Sequence, residues 1–221
     1  MIIEAQRYGL HPDDIDFVVE CLKKGKPGIV PTDSVYAYCS LSSEKAGFEA
    51  ICRLKHIDPK DAMMSIICRD LSQASEYFTQ WDTPVYRLLN KNLPGPFTFI
   101  LNSGNRAPAF LKNKRKTLGL RIPQHPVIKS IMSKLDMPLI VSSVINHEDD
   151  MEPYFSDTDL LISHHEKQVG FIIIDEGAEQ EESTVVVKAV PNAGYRFAQW
   201  EENGVAVSTK AEYSFVCSGA K

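Results

Sequence analysis

Four short stretches place hydroxyls and cations beside apolar runs. They are Pro31-Thr32-Asp33-Ser34-Val35-Tyr36, Lys55 with the loop after it, Leu120-Arg121-Ile122-Pro123, and Val141-Ser142-Ser143. These residue types suit an anion. Hydroxyls donate to phosphate or carboxylate oxygens, lysine adds a point charge, and the guanidinium fork of arginine matches a carboxylate or phosphate. Each stretch also has an ordinary reading. Thr, Asp and Ser after a strand start a turn, Lys55 stabilises the negative end of a helix dipole, and the serine pair caps the next segment. Arg121 follows Leu118 and Leu120 in an alternating strand and is expected to share their buried face. There a guanidinium needs an anionic partner, either an internal acid or a ligand group. A second candidate is the basic run Lys112, Lys114, Arg115 and Lys116, read as a solvated loop or as a contact to the phosphate backbone of tRNA or duplex RNA. No aromatic residue interleaves it, so stacking on single-stranded bases is not indicated.

The elements that must carry these groups alternate between strand and helix. Gly28 to Val30 reads as a buried strand ended by Pro31, which has no N–H to donate. A helix opens at His11-Pro12-Asp13-Asp14, repeats Ile15, Val18, Val19 and Leu22 at helical spacing, and stops at Gly25. A second helix starts at Ser43-Glu44-Lys45 and ends near Lys55. Met63 to Cys68 reads as a strand, Asp70 as a helix N-cap, and Thr83 to Asn92 as a further helix. Leu93-Pro94-Gly95-Pro96 reads as a turn before a strand at Phe97–Leu101 that contains Thr98. Leu118–Ile122, Pro138–Val141 and Val169–Ile174 read as strands, and 126–135 and 157–165 as helices. The alternation predicts an α/β domain in which polar residues at the C-terminal ends of strands meet a ligand.

Composition narrows the function classes. The chain has 221 residues, 43% hydrophobic, with a formal net charge of -5 and a pI near 5.7, which gives a real core and no global polyanion-binding character. The N-terminus lacks a basic segment followed by an apolar core, and no apolar run reaches the length of a membrane span. Both point to a cytoplasmic protein without a membrane partner. Five cysteines form no C-x-x-C pair, and the six histidines show no metal-ligand spacing, so no metal site is expected. Neither G-x-G-x-x-G nor G-x-x-x-x-G-K-[ST] occurs.

Taken in order, Pro31–Tyr36, Leu93–Leu101, Arg121-Ile122-Pro123-Gln124-His125-Pro126 and Val141-Ser142-Ser143 resemble the YrdC/YciO-like family over roughly residues 1–187. Ile67-Cys68-Arg69-Asp70-Leu71-Ser72 and Lys114-Arg115-Lys116-Thr117 place the likeness on the YciO branch. The resemblance implies a twisted mixed sheet with flanking helices and a concave, positively charged cavity. It implies an ATP- and RNA-binding protein of the threonylcarbamoyl-AMP synthase type, joining L-threonine, bicarbonate and ATP with Mg²⁺ for modification of adenosine 37 in tRNA. By matching position, Thr32, Tyr36, Lys55, Thr98, Arg121, Ser142 and Ser143 would bind substrate and ATP, with no residue assigned as catalytic. Two departures stand out. Ile57 replaces the arginine of Lys-x-Arg, and Ile145 the asparagine of Ser-x-Asn. They leave open a non-catalytic double-stranded RNA- or tRNA-binding protein on the same fold.

From Ser183 the pattern changes to short strands and turns, with Asn203-Gly204 as a hairpin signal. Residues 187–221 resemble part of an internalin-type bacterial β repeat. The expected organisation is a domain at 1–186 and an all-β tail at 187–221, read as a partial surface-protein repeat or a mis-joined segment. The tail is expected to pack loosely or to use the sheet edge at Thr184–Val187.

Overall fold

The computed structural model describes residues 1–111, 116–145, 154–155 and 157–175, together with four later strands. The chain opens with β1 (Ile2–Glu4). Helix α1 (Pro12–Lys23) starts on Pro12, with Asp13 and Asp14 at the positive end of its dipole and the His11 imidazole capping it. It ends before Gly25, which adopts a φ of 70°. Then follow β2 (Gly28–Val30), β3 (Ala37–Leu41), α2 (Lys45–Leu54), β4 (Ser65–Ile67), α3 (Leu71–Tyr77) and α4 (Thr83–Asn92). Next come β5 (Gly95–Asn102), a 3₁₀ turn at Ala109–Leu111, β6 (Thr117–Ile122), α5 (Pro126–Ser133), β7 (Leu139–Ser143), α6 (Thr158–His165) and β8 (Phe171–Ile174). After β8 come β9 (Ser183–Lys188), which runs across the expected boundary at 186/187, and β10 (Trp200–Glu202), β11 (Val205–Ser208) and β12 (Glu212–Cys217).

Two elements differ from expectation. The strand expected at Met63–Cys68 is only β4, and Met63 lies outside it with 74% of its surface exposed. β5 begins at Gly95, inside the expected Pro-Gly-Pro turn, and its register against β6 shifts between Gly95 and Phe99. Pro96 has no N–H for the ladder, so the strand continues through an irregularity.

Ten strands form one mixed sheet in the order β1-β8-β2-β3-β7-β4-β6-β5-β9-β12. One face is covered by α1 and α5, whose Val18, Leu22, Val127 and Ile131 pack on Val30, Cys39, Leu139, Val141, Phe171 and Ile173. Each such side chain, fully buried, contributes about 1.5–3 kcal/mol. The other face carries α2, α3, α4 and α6 over Ile29, Tyr38, Ile66, Leu118, Leu120, Ile140 and Ile172. Strand alternation sorts β6 between these faces. Leu118, Leu120 and Ile122 join the second core, so Gly119 and Arg121 lie on the opposite face. The expectation that Arg121 shares a face with the leucines is therefore corrected: it is one residue out of phase with them, and a period of two puts it on the other side.

The tail continues the sheet. β9 pairs in parallel with β5, matching Thr98 with Val185, and β12 pairs antiparallel with β9 from Glu212↔Lys188 to Cys217↔Ser183. β12, within the expected tail at 187–221, thus pairs with a strand that includes Thr184–Val187. β10 and β11 pair antiparallel on either side of positions 203 and 204.

Candidate functional site

The α1/α5 layer covers only part of its face. Beyond it, on β3, β7, β4, β6 and β5, the residues on this side are Ala37, Ser143, Ser65, Gly119 and Thr98. Small and polar side chains offer little apolar area to hold a helix, and no helix among the described residues covers the sheet there. Gly119 is required by a close approach. A Cβ at this position would stand 2.1 Å from the Ser65 hydroxyl of the neighbouring strand. The result is a cleft of about 80 Å³, lined by Thr32, Ser65, Thr98, Arg121, Ser142 and Ser143 with Val35, Ala37 and Val141. Such a space suits a phosphate or carboxylate group.

One wall is the Pro31–Tyr36 loop. The Thr32 hydroxyl accepts N–H bonds from Ser34 at 3.2 Å and Val35 at 3.3 Å and donates to the Val35 carbonyl at 2.8 Å, closing a tight turn. Thr32 and Ser34 are both buried, with their hydroxyls 3.1 Å apart. The turn aims Asp33 at β6. Arg121 Nη2 donates to Asp33 Oδ1 at 2.7 Å and to the Ser34 hydroxyl at 3.0 Å, and the Gln124 N–H donates to Asp33 Oδ2 at 3.1 Å. The anionic partner Arg121 requires is thus an internal acid. Its buried Nε has no hydrogen-bond partner.

Lys55 differs. It is the C-cap of α2, half-buried, and its Nζ donates to the Ser143 carbonyl at 2.7 Å. It forms no ion pair among the described residues. Burial lowers its pKa, and Lys55 stands outside the lining of the cleft, tied to it through the Ser143 carbonyl.

Tyr36 lies at the start of β3 and outside the cleft lining. Its ring is buried, and its hydroxyl accepts the Asp175 N–H at 3.3 Å beyond β8. The Asp175 carboxylate lies 3.4 Å from His125 Nε2, and His125 Nδ1 accepts the Val127 N–H at 3.3 Å to cap α5. Burial lowers the His125 pKa, against the raising pull of Asp175 and Asp33. Of the basic run, Lys112, Lys114 and Arg115 lie outside the described residues. Lys116 is exposed, has a φ of 55°, and accepts a hydrogen bond from Ser103 through its carbonyl.

This geometry is accompanied by clear sequence kinship. The Sua5/YciO/YrdC family model, described as telomere recombination, matches residues 20–197. The chain belongs to that family. The Escherichia coli protein YciO is 33% identical over 188 residues, covering 82% of this chain and 89% of YciO. A crystal structure of E. coli YciO superposes with a TM-score of 0.75 over 84% of this chain and 89% of that one. The threonylcarbamoyl-AMP synthase of Vibrio vulnificus is 26% identical over 128 residues, 57% of this chain and 68% of the synthase. P. abyssi Sua5, solved with L-threonine, shares the fold at 19% identity, with a TM-score of 0.73 over 84% of this chain and 54% of its own.

Within this family the chain brings Thr32, Thr98, Arg121, Ser142 and Ser143 into one cleft, while Lys55, bonded to the Ser143 carbonyl, and Tyr36 lie outside its lining. Sequence reasoning left out Asp33, Ser34 and Ser65 as site residues. Asp33 and Ser34 stand in the motif already singled out, and an acid near a strand-borne arginine was a usable signal. Ser65 was legible as the one polar residue of Ser65-Ile66-Ile67. At the first departure, Ile57 packs against the apolar core beneath α2. Position 57 is thus used for packing.

Proposed function

We propose that the cleft binds the phosphate end of ATP, delivered with Mg²⁺, and the carboxylate of L-threonine or a similar amino acid. In this reading the protein carries out threonylcarbamoyl-AMP synthase-type chemistry at reduced rate. The observation that carries the proposal is the cleft lining, where Thr32, Thr98, Ser142 and Ser143 gather with Arg121, and Lys55, a half-buried cation without a carboxylate partner among the described residues, is tied to the Ser143 carbonyl. A preorganised positive group with hydroxyl donors beside it stabilises charge developing on a phosphate without reorganisation. The kinship with the Vibrio synthase and with a threonine-bound Sua5 supports the same ligands. The rate is reduced because Ile57 and Ile145 stand where the synthase pattern has donors, and one lost donor costs about 10²–10³ in rate.

Two measurements test this. Calorimetry with ATP·Mg²⁺ and L-threonine is expected to show binding that Lys55→Met weakens at least about tenfold, the scale for a charge-assisted hydrogen bond. Pyrophosphate release that depends on threonine and bicarbonate is expected to be slow and to rise in an Ile57→Arg/Ile145→Asn variant. Absence of ATP binding in the wild type, together with no pyrophosphate from that variant, overturns the proposal.

A further inference from the structure

A second cavity lies on the other side of the sheet, between the C-terminal end of α3 and the N-terminal end of α4. It has a volume of about 410 Å³ and is lined by Trp81, Tyr86 and Asp82 with the hydroxyl residues Ser75, Thr79 and Thr83. That volume falls in the range of small-molecule sites, about 300–1,000 Å³. From this lining we infer a binding site for an organic cation, an alkylammonium or guanidinium group.

The sign comes from Asp82. Among the described residues that line the cavity it is the one charged residue, and none is Lys, Arg or His. Among the described residues it forms no ion pair. One of its oxygens, Oδ1, accepts the Val85 N–H at 2.9 Å and caps α4, while Oδ2 makes no hydrogen bond among the described residues. The helix N-terminus does not invite an anion instead. Asp82 takes the Val85 N–H on Oδ1 and the Tyr86 N–H on its carbonyl, Pro84 has none, and an anion at the remaining Thr83 N–H would meet the Asp82 carboxylate.

The class comes from the aromatic pair. Tyr86 is 49% exposed and Trp81 half-buried, the latter resting on Phe78 with ring centroids 6.3 Å apart. Both rings border the cavity. Ring faces attract ammonium and guanidinium groups, tryptophan most strongly. A carboxylate with two rings and three hydroxyls satisfies a cation that carries several N–H donors and an apolar stem. The source is either a free polyamine or a lysine or arginine side chain of a peptide.

The chain contains two tryptophans. A Trp200→Phe variant therefore leaves Trp81 as sole reporter. In this background, spermidine and N-acetyl-argininamide are titrated against the full chain while tryptophan emission is followed, with sodium phosphate as the anionic control. A saturable change with at least one cation is expected, and which of the two binds identifies the source. Asp82→Asn preserves the helix cap, since asparagine caps as well as aspartate, and is expected to weaken binding about tenfold or more. Tyr86→Ala is expected to weaken it about two- to tenfold. No saturable change with either cation at millimolar concentration overturns the inference. So does unchanged affinity in Asp82→Asn, or saturable binding of phosphate in place of the cations.

Discussion

Removing the Asp33 carboxylate tests whether the cleft wall is held by charge. The Arg121 and Asp33 side chains are 12% and 11% exposed, so the pair lies close to the buried limit. Breaking a buried pair on one side costs about 3–5 kcal/mol, whereas an exposed pair is worth about 0–1 kcal/mol. In Asp33→Ala the guanidinium keeps the Ser34 hydroxyl as a partner, which offsets about 1 kcal/mol. Gln124 N–H loses its acceptor, which costs a similar amount. These two effects cancel, and the net expectation is about 3–5 kcal/mol, or a fall in Tm of about 6–20 °C for a chain of this length. Urea denaturation of the wild type, Asp33→Ala, Arg121→Met and the double variant supplies the cycle. Removing both partners leaves no orphaned charge, so the double variant is expected to be more stable than the sum of the singles by at least about 1.5 kcal/mol. A loss under about 1 kcal/mol in Asp33→Ala, or strict additivity in the cycle, refutes the account.

Acid sensitivity should trace in part to His125. Burial holds its pKa below the ordinary 6.5, so the unfolded chain takes up the proton first. Stability is full above about pH 6.5 and is lost as pH falls from there toward the folded-state pKa. His125→Asn keeps a capping side chain without titrating, and should flatten the dependence of the urea midpoint between pH 7 and 5. At the α2–β3 contact, a Cβ on Gly47 would stand 1.8 Å from the hydroxyl of buried Ser40. Gly47→Ala should therefore cost about 1–3 kcal/mol by thermal melting. Ser40→Ala, which deletes a buried hydroxyl without a partner, should be neutral or stabilising. If the basic run contacts duplex RNA, Lys114→Ala/Arg115→Ala should lower the slope of log K against log salt by about 2 in filter binding. An unchanged slope removes the run from any RNA interface.

Much of the scaffold was legible because its signals are local. Pro12 with two acids and Gly25 mark α1, and Asp82-Thr83-Pro84 marks α4, through groups within one helical turn of the end they fix. The site was less legible because its parts are joined by strand order. Asp33 and Arg121 meet across a separation of 88 residues, and nothing in either motif states that β3, β7, β4 and β6 are neighbours. The cleft is recognisable only once Ala37, Ser143, Ser65, Gly119 and Thr98 are known to share a face. Arg121 was misplaced for a simpler reason, a phase of one residue in β6.

The charge inventory around the cleft limits what its ligand can be. Arg121, the cation in the lining, is matched to Asp33, position 57 holds an isoleucine packed on the core, and Lys55, tied to the Ser143 carbonyl outside the lining, has no counter-charge among the described residues. At about 4 Å and an effective dielectric of about 20, one unit charge contributes about 4 kcal/mol toward another. That is enough for a lysine aided by Ser142, Ser143 and Thr98 to hold one carboxylate or one phosphate. It is too little for a triphosphate, whose charge of about −4 at neutral pH would face a single lysine. Under the proposed function the metal on the nucleotide would therefore have to supply most of the neutralisation, with Lys55 adding one charge beside Ser143. In that arrangement the protein holds its ligands more readily than it stabilises the departing pyrophosphate, as isoleucine at positions 57 and 145 also requires.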